Sequence, residues 1–437
     1  MKTILALVFL VVVATIALLT MSSQTGLSIS PAVNFIGLAT PVTVHLTNPH
    51  GVRRVSAFLE QNGARYAVYE ETAPVRRLLW SRHEPPRTLT FEAGKNKAPN
   101  LKEGKARLLL EAVSNDLHGR TDTAESEVDV ILSAPRVIAD DLQHYINQAG
   151  MELVTFTASG SWHEAGTRVG PHTFRSFSLP GEDAGRRFSM FAYAWDLPPA
   201  LTPMVYARNQ VGAEATGRFR FKLFPKKFRE RDFVLNDALM DKLVNNIDPD
   251  GTLAPGPDLL SRFLRINGEM RRKNNQQLAD LRTRTEEKVL WSGPFIHYGK
   301  EEANFADVRD YKYKGKMVDR QVHLGFDLSD VANAPVNAAN DGRVVWADSL
   351  GIYGNCVVLD HGYGLQSIYG HMQRIDVKVG DMVKKGGKMG VAGSTGLAEG
   401  VHVHFGMQIG GVQINPREWW DEHWIHDRIL SKLGPDK

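Results

Sequence analysis

Cysteine is almost absent: Cys356 is the single one in 437 residues. No intramolecular disulfide can form, and a zinc site built only from thiolates is excluded. Cys356 lies in the strand-like run Gly354-Asn355-Cys356-Val357-Val358-Leu359 and reads as a small buried hydrophobe. An excess of charge of one sign is also lacking. Lys and Arg number 52 against 49 Asp and Glu, for a formal net charge of +3. With no nucleic-acid motif and no basic domain, nothing points to a nucleic-acid partner. Charged residues are 23% and hydrophobic residues 43%, which excludes wholesale disorder. The apolar content is enough to build cores for roughly two to four domains. Glycine, by contrast, is plentiful at 39 residues and suits loop-rich β structure better than helix bundles.

A long apolar stretch opens the chain. Ile4 to Met21 contains only apolar residues and threonines, and only Lys2 and the amino group precede it. The run is long for a signal-peptide core and near the minimum for a membrane span. The sequence that follows, Ala17-Leu18-Leu19-Thr20-Met21-Ser22-Ser23, lacks a good small-residue cleavage pattern. The expectation is an uncleaved transmembrane signal anchor over residues 1–23. The leading charge would stay in the cytoplasm and everything after Ser22 would be exported.

The overall expectation is a mostly β chain in four regions after the anchor. Residues 27–134 alternate in short runs such as Val42-Thr43-Val44-His45-Leu46 and Val55-Ser56-Ala57-Phe58-Leu59, the pattern of an immunoglobulin-like sandwich. Residues 135–225 form a second, weaker Ig-like β region. Arg136 to Ile146 is ambiguous there between helix and strand, and His144, His163 and His172 read as surface or turn histidines. Residues 226–288 read as a helical connector. Phe228, Phe233, Leu235, Leu239, Leu243 and Ile247 can share one face, Asp248-Pro249-Asp250-Gly251 stops that helix, and Asp258 caps a second. The basic cluster Arg271-Arg272-Lys273 reads as a solvated helix face. Residues 290–425 return to antiparallel β hairpins joined by glycine turns.

The last region carries three histidine elements: His323-Leu324-Gly325-Phe326-Asp327, Tyr369-Gly370-His371 and His402-Val403-His404. On a strand, His402 and His404 point to one face with Cα atoms about 6–7 Å apart, so both rings can serve one small site. His323 and Asp327 would lie about 13 Å apart on a straight strand. They share an ion only if the chain bends between them, and Gly325 is where a bend costs least. Two histidines and a carboxylate form a common catalytic zinc set with a fourth position open to water, although other divalent ions also suit such donors.

Together these elements resemble the lysostaphin-type, or LytM-like, zinc metallopeptidases that cut peptidoglycan peptides. The resemblance covers roughly residues 305–420. It includes Asp360-His361-Gly362-Tyr363-Gly364, Val379-Gly380-Asp381, Gly393-Ser394-Thr395-Gly396 and Asn415-Pro416. It implies that His323, Asp327 and His404 bind one Zn2+ per chain, and that His371 and His402 act in catalysis. It implies peptidoglycan stem peptides as substrate. With the anchor, it implies a location on the cell inner membrane with the bulk of the chain in the periplasm. His361 fits the pattern as a turn or supporting residue. Arg309 reads either as an orienter of a substrate carboxylate or as a structural ion pair. Two other functions compete with this one. The Val379–Gly396 hairpins are somewhat like a biotinyl or lipoyl carrier, but Lys384-Lys385 is followed by Gly386-Gly387. The second is a non-catalytic wall-binding scaffold or an activator of other wall hydrolases.

Overall fold

A computed structural model describes residues 2–20, 22–75, 84–116 and 118–434. Strands dominate it, and contacts divide the chain into two units. The first comprises residues 1–135, 160–163 and 208–214. The second comprises residues 136–159, 164–207 and 215–437.

In the first unit two arrays, antiparallel except where Phe35–Ile36 runs parallel to Thr121–Val130, enclose one core. Thr40–Thr47 pairs with Gly26–Ile29 on one side and Arg87–Ala93 on the other. Val52–Gln61, Ala64–Thr72, Gly104–Ser114 and Thr121–Val130 form most of a five-stranded sheet. Alternation decides which residues face inward: Val42, Val44 and Leu46 are buried, as are Leu108 and Leu110. The expected strands at these positions are present.

The apolar N-terminal segment is helical over Lys2–Thr20. Among the described residues no helix is long and apolar enough to cross a membrane. The expected membrane-spanning helix over 1–23 is therefore not supported, and residues 1 and 21 lie outside the described set. A helix of 19 residues rises about 28 Å, just short of a hydrocarbon core of about 30 Å.

In the second unit the ambiguous stretch resolves as two strands, Arg136–Ala139 and Gln143–Asn147. His144 is not a surface residue. It is fully buried, with Nε2 2.9 Å from Asp140 Oδ1, beside an ion pair of Glu152 and Lys432 at 2.8 Å. Burying charges is tolerable only when each has a partner, and this cluster supplies them.

The connector departs from expectation at its start. Residues 230–235 are not helical: Glu230–Leu235 is a strand running parallel to Asp307–Tyr313, which pairs in turn with Lys316–His323. The helix is confined to Asp237–Ile247, capped by Asn236, and ends where Asp248-Pro249-Asp250-Gly251 was expected to stop it. Asp258 caps the next helix by accepting from Ser261 N at 2.7 Å. That helix continues through a π-helical turn at Ile266–Met270 to Asp280. Leu243, Val244, Phe263 and Leu278 from the connector share one core with Ile352, Cys356, Val358 and Ile368. The connector is thus packed into the C-terminal sheet. Cys356 is fully buried, as expected.

The C-terminal sheet has ten strands. Its centre runs Phe326–Ser329, His402–Ile409, Leu365–Ile375, Asn355–Gly362, with every neighbour antiparallel. This order brings the three histidine elements onto adjacent strands.

Candidate active site

Register sets the site. Asp327 lies opposite His404, and His404 lies opposite Gly370 on its other side. His323 ends its strand and Phe326 begins the next, so the chain turns across Leu324-Gly325. His323 Nε2 then stands 2.9 Å from Asp327 Oδ1. Gly325 serves more by its size than by its flexibility: a Cβ there would lie 2.5 Å from His404 Cε1 and Nε2. The turn presses backbone against the imidazole, and only glycine leaves room.

Three atoms converge. His323 Nε2 lies 3.0 Å from His404 Nδ1, which lies 3.2 Å from Asp327 Oδ1. All three residues form one buried cluster able to hold a metal ion. His323 Nδ1 contacts the Asn304 carbonyl at 3.1 Å, and a carbonyl only accepts, so Nδ1 carries the proton and Nε2 a lone pair. Burial pushes His323 down to about 4, which keeps the ring neutral. Burial works to raise Asp327, but His323 and the other histidines hold it well below the carboxylate range. A lone pair and a carboxylate therefore face each other at 2.9 Å, a repulsion that a shared cation relieves. Nitrogen and oxygen ligands around tetrahedral zinc at about 2.0–2.1 Å stand about 3.3 Å apart, close to the edges of this triangle. The donors present fit zinc.

His371 and His402 stand across from the triangle with ring centroids 4.7 Å apart. His371 Nδ1 donates to the Thr395 carbonyl at 2.8 Å and His402 Nδ1 to the Gly400 carbonyl at 3.0 Å. Each thus turns Nε2 away from its anchoring carbonyl, and His402 Nε2 lies 3.4 Å from Asp327 Oδ1. Burial, with the two neighbouring histidines, holds His371 well below its ordinary range. At His402 burial works downward, but the hydrogen bond and charge of Asp327, together with the Gly400 carbonyl, prevail and move that ring upward. His371 has φ +63°, the left-handed region that costs a non-glycine residue about 1 kcal/mol or more. There its strand leaves the His402–Ile409 neighbour and joins Lys388–Ala392.

All five residues expected from the sequence meet here. Of the two readings of Arg309, the structure takes the ion pair: its guanidinium holds Asp327 Oδ2 at 2.8 Å. His361 is not in a turn. It is fully buried within a strand, bonding the Asp341 carbonyl and Ser367 Oγ at 2.7 Å each. The carbonyls of Asn304, Thr395 and Gly400 were not foreseen. Backbone acceptors leave no residue-type signal, and only the tertiary structure reveals them. The site opens into a cleft of about 540 Å³, walled on one side by connector residues Arg231, Phe233, Phe263 and Arg271. Lys242 Nζ holds the Glu399 carbonyl at 2.5 Å, tethering the loop before His402 to the first connector helix.

A buried His-Asp-His triangle faced by two further histidines is a centre of the metallopeptidase class. Residues 321–416 match peptidase family M23, and the chain carries an M23 domain of the LytM or lysostaphin type. DD-carboxypeptidase/endopeptidase Mpg of Neisseria meningitidis is 33% identical over 96 residues, 22% of each chain. Peptidoglycan DD-endopeptidase ShyC of Vibrio cholerae is 30% identical over 144 residues, 33% of this chain and 32% of that one. The match to the first of these relatives therefore spans about a fifth of its length. Among solved structures, the catalytic domain of lysostaphin from Staphylococcus simulans is 26% identical, with TM-score 0.21 over 32% of this chain and 93% of that one.

Proposed function

We propose that the chain is a zinc endopeptidase that hydrolyses peptide cross-links of peptidoglycan. The observation that carries this reading is the meeting of His323 Nε2, Asp327 Oδ1 and His404 Nδ1 within 3.2 Å of one another. His323, Asp327 and His404 would hold Zn2+, and Arg309 fixes the second oxygen of Asp327. Zinc, when bound, supplies a polarised scissile carbonyl and water made acidic enough to ionise near neutral pH. His371 and His402 handle the protons. Held by carbonyls at Nδ1, each presents Nε2 to the reacting groups: a neutral ring can accept the proton of the attacking water, and a protonated one can give a proton to the leaving amine. A protonated ring there also stabilises the tetrahedral oxyanion. The relatives named DD-endopeptidases support peptidoglycan as substrate. The non-catalytic scaffold reading is not favoured, because all five side chains are present and converge.

The same proposal places the protein on the wall side of the inner membrane, with its apolar N-terminal segment directing export. Cell fractionation checks this, and full-length protein found only in the cytoplasm would overturn it.

The activity test uses full-length protein and defined cross-linked muropeptides, with product masses read out. His323→Ala, Asp327→Ala and His404→Ala should each lose zinc and activity. His371→Ala and His402→Ala should keep zinc while turnover falls about a hundredfold or more, non-additively. Near-normal turnover in both of the latter variants would remove them from the mechanism.

A further inference from the structure

Residues directly opposite in a ladder share a face. In the strand Glu230–Leu235, Arg231 lies opposite Arg309 and Phe233 opposite Tyr311. The Phe233 and Tyr311 rings meet with centroids 4.9 Å apart, consistent with a shared face. Arg231 therefore sits one strand spacing, about 4.8 Å, beyond the arginine that grips Asp327.

The two arginines differ in what they hold. Arg309 is committed to Asp327. Arg231 is exposed and lines the same cleft as His323, Asp327 and His402, and among the described residues no ion pair or hydrogen bond of its side chain is found. Its neighbours are engaged: Glu230 with Arg320 at 3.1 Å and Asp232 with Lys312 at 2.5 Å. Two cleft carboxylates beside it are also taken, Asp307 by Arg229 and Asp327 by Arg309. Glu302 and Glu399 line the cleft too, and among the described residues neither pairs with Arg231, so an unpaired guanidinium lines the approach to His323, Asp327 and His402. Its planar fork matches a carboxylate through two parallel hydrogen bonds.

We propose that Arg231 is a specificity residue that binds a substrate carboxylate on the residue flanking the scissile bond. This rests on the peptidase reading. A leaving residue with a free α-carboxylate carries that group two bonds from the scissile nitrogen. Such a group would lie in the cleft that Arg231 lines, where Arg231 stands one strand beyond Arg309. Arg231 lies outside the matched residues 321–416, so this preference would belong to the connector of this chain.

The test measures binding by calorimetry to full-length protein carrying His402→Ala, which slows hydrolysis. The probes are a synthetic cross-linked stem peptide with a free α-carboxylate on the leaving residue and its primary-amide counterpart. With Arg231 present the carboxylate peptide should bind roughly 10–100-fold tighter. Adding Arg231→Gln should abolish that preference, Arg231→Lys should keep part of it, and zinc content should not change. Equal binding of both peptides with Arg231 present, or an undiminished preference in Arg231→Gln, would overturn the proposal. Hydrolysis by otherwise unaltered protein is scored separately. A carboxylate preference without any hydrolysis would sink the peptidase reading and leave the binding role standing.

Discussion

Gly325→Ala should strike the metal site without touching a ligand. The φ of Gly325 is not in the left-handed region, so the backbone accepts alanine. Space does not. The added Cβ would lie 2.5 Å from His404 Cε1 and Nε2 and 2.9 Å from the Phe405 carbonyl oxygen. Ordinary contact begins near 3.4 Å, so the ring must retreat by nearly 1 Å or the turn must open. Metal ligands tolerate about 0.2 Å. The His404 ring is also closed in on its other side, where Tyr353 packs against it with centroids 5.3 Å apart. Overpacking of this kind costs about 1–3 kcal/mol, and here it acts on a proposed ligand. Zinc affinity should fall on the order of 10–100-fold, the range seen when ligand support is removed. Competition with a chromophoric chelator reads that affinity, and denaturant unfolding of zinc-free protein reads the steric cost alone. Unchanged affinity in Gly325→Ala would refute the claim that this glycine shapes the site by making room.

Three further outcomes can be checked. Arg309→Ala frees Asp327 Oδ2 from its 2.8 Å partner and should weaken zinc binding about 10–100-fold, measured in the same competition assay. Phe263→Ala, at a fully buried connector position, should cost about 3–5 kcal/mol in urea unfolding and lower the midpoint for the C-terminal sheet as well, since they share one core. Asp140 is moved down to about 2: burial opposes the shift, but hydrogen bonds from His144 and Thr155 prevail. A carboxyl depressed from 3.8 contributes stability that is complete above the unfolded value and is lost as pH falls toward about 2. The stability gap between the parent and Asp140→Asn should therefore grow from near zero at pH 2 to about 2 kcal/mol by pH 5, and a gap independent of pH would count against it.

What could be read from sequence divides along physical lines. Period-two alternation located the strands around Val42, Val55 and Leu108, because each buries one face and exposes the other. The same rule failed at residues 228–235. Phe233 and Leu235 satisfy a helical face and a strand face equally well. The strand's partner, Asp307–Tyr313, lies more than seventy residues away, and a parallel pairing at that distance has no local turn to announce it. At the site, His323, Asp327, His371, His402 and His404 were legible as candidates because imidazole and carboxylate side chains suit metal binding and proton transfer. Their supports were not, since Asn304, Thr395 and Gly400 act through main-chain oxygens. Arg309 was legible as a pair of alternatives, and only the fold could choose between them.

The parallel strand Glu230–Leu235 has a consequence for dissection. A fragment beginning near residue 290 would contain every histidine of the site and all of the matched segment. It would lack the strand that covers Asp307–Tyr313. That strand would become a bare edge, with its peptide groups open to pairing with another molecule. The fragment would also leave Ile352, Cys356 and Val358 without Leu243 and Phe263 above them. Such a piece is expected to self-associate, whereas one beginning before residue 230 keeps the edge closed.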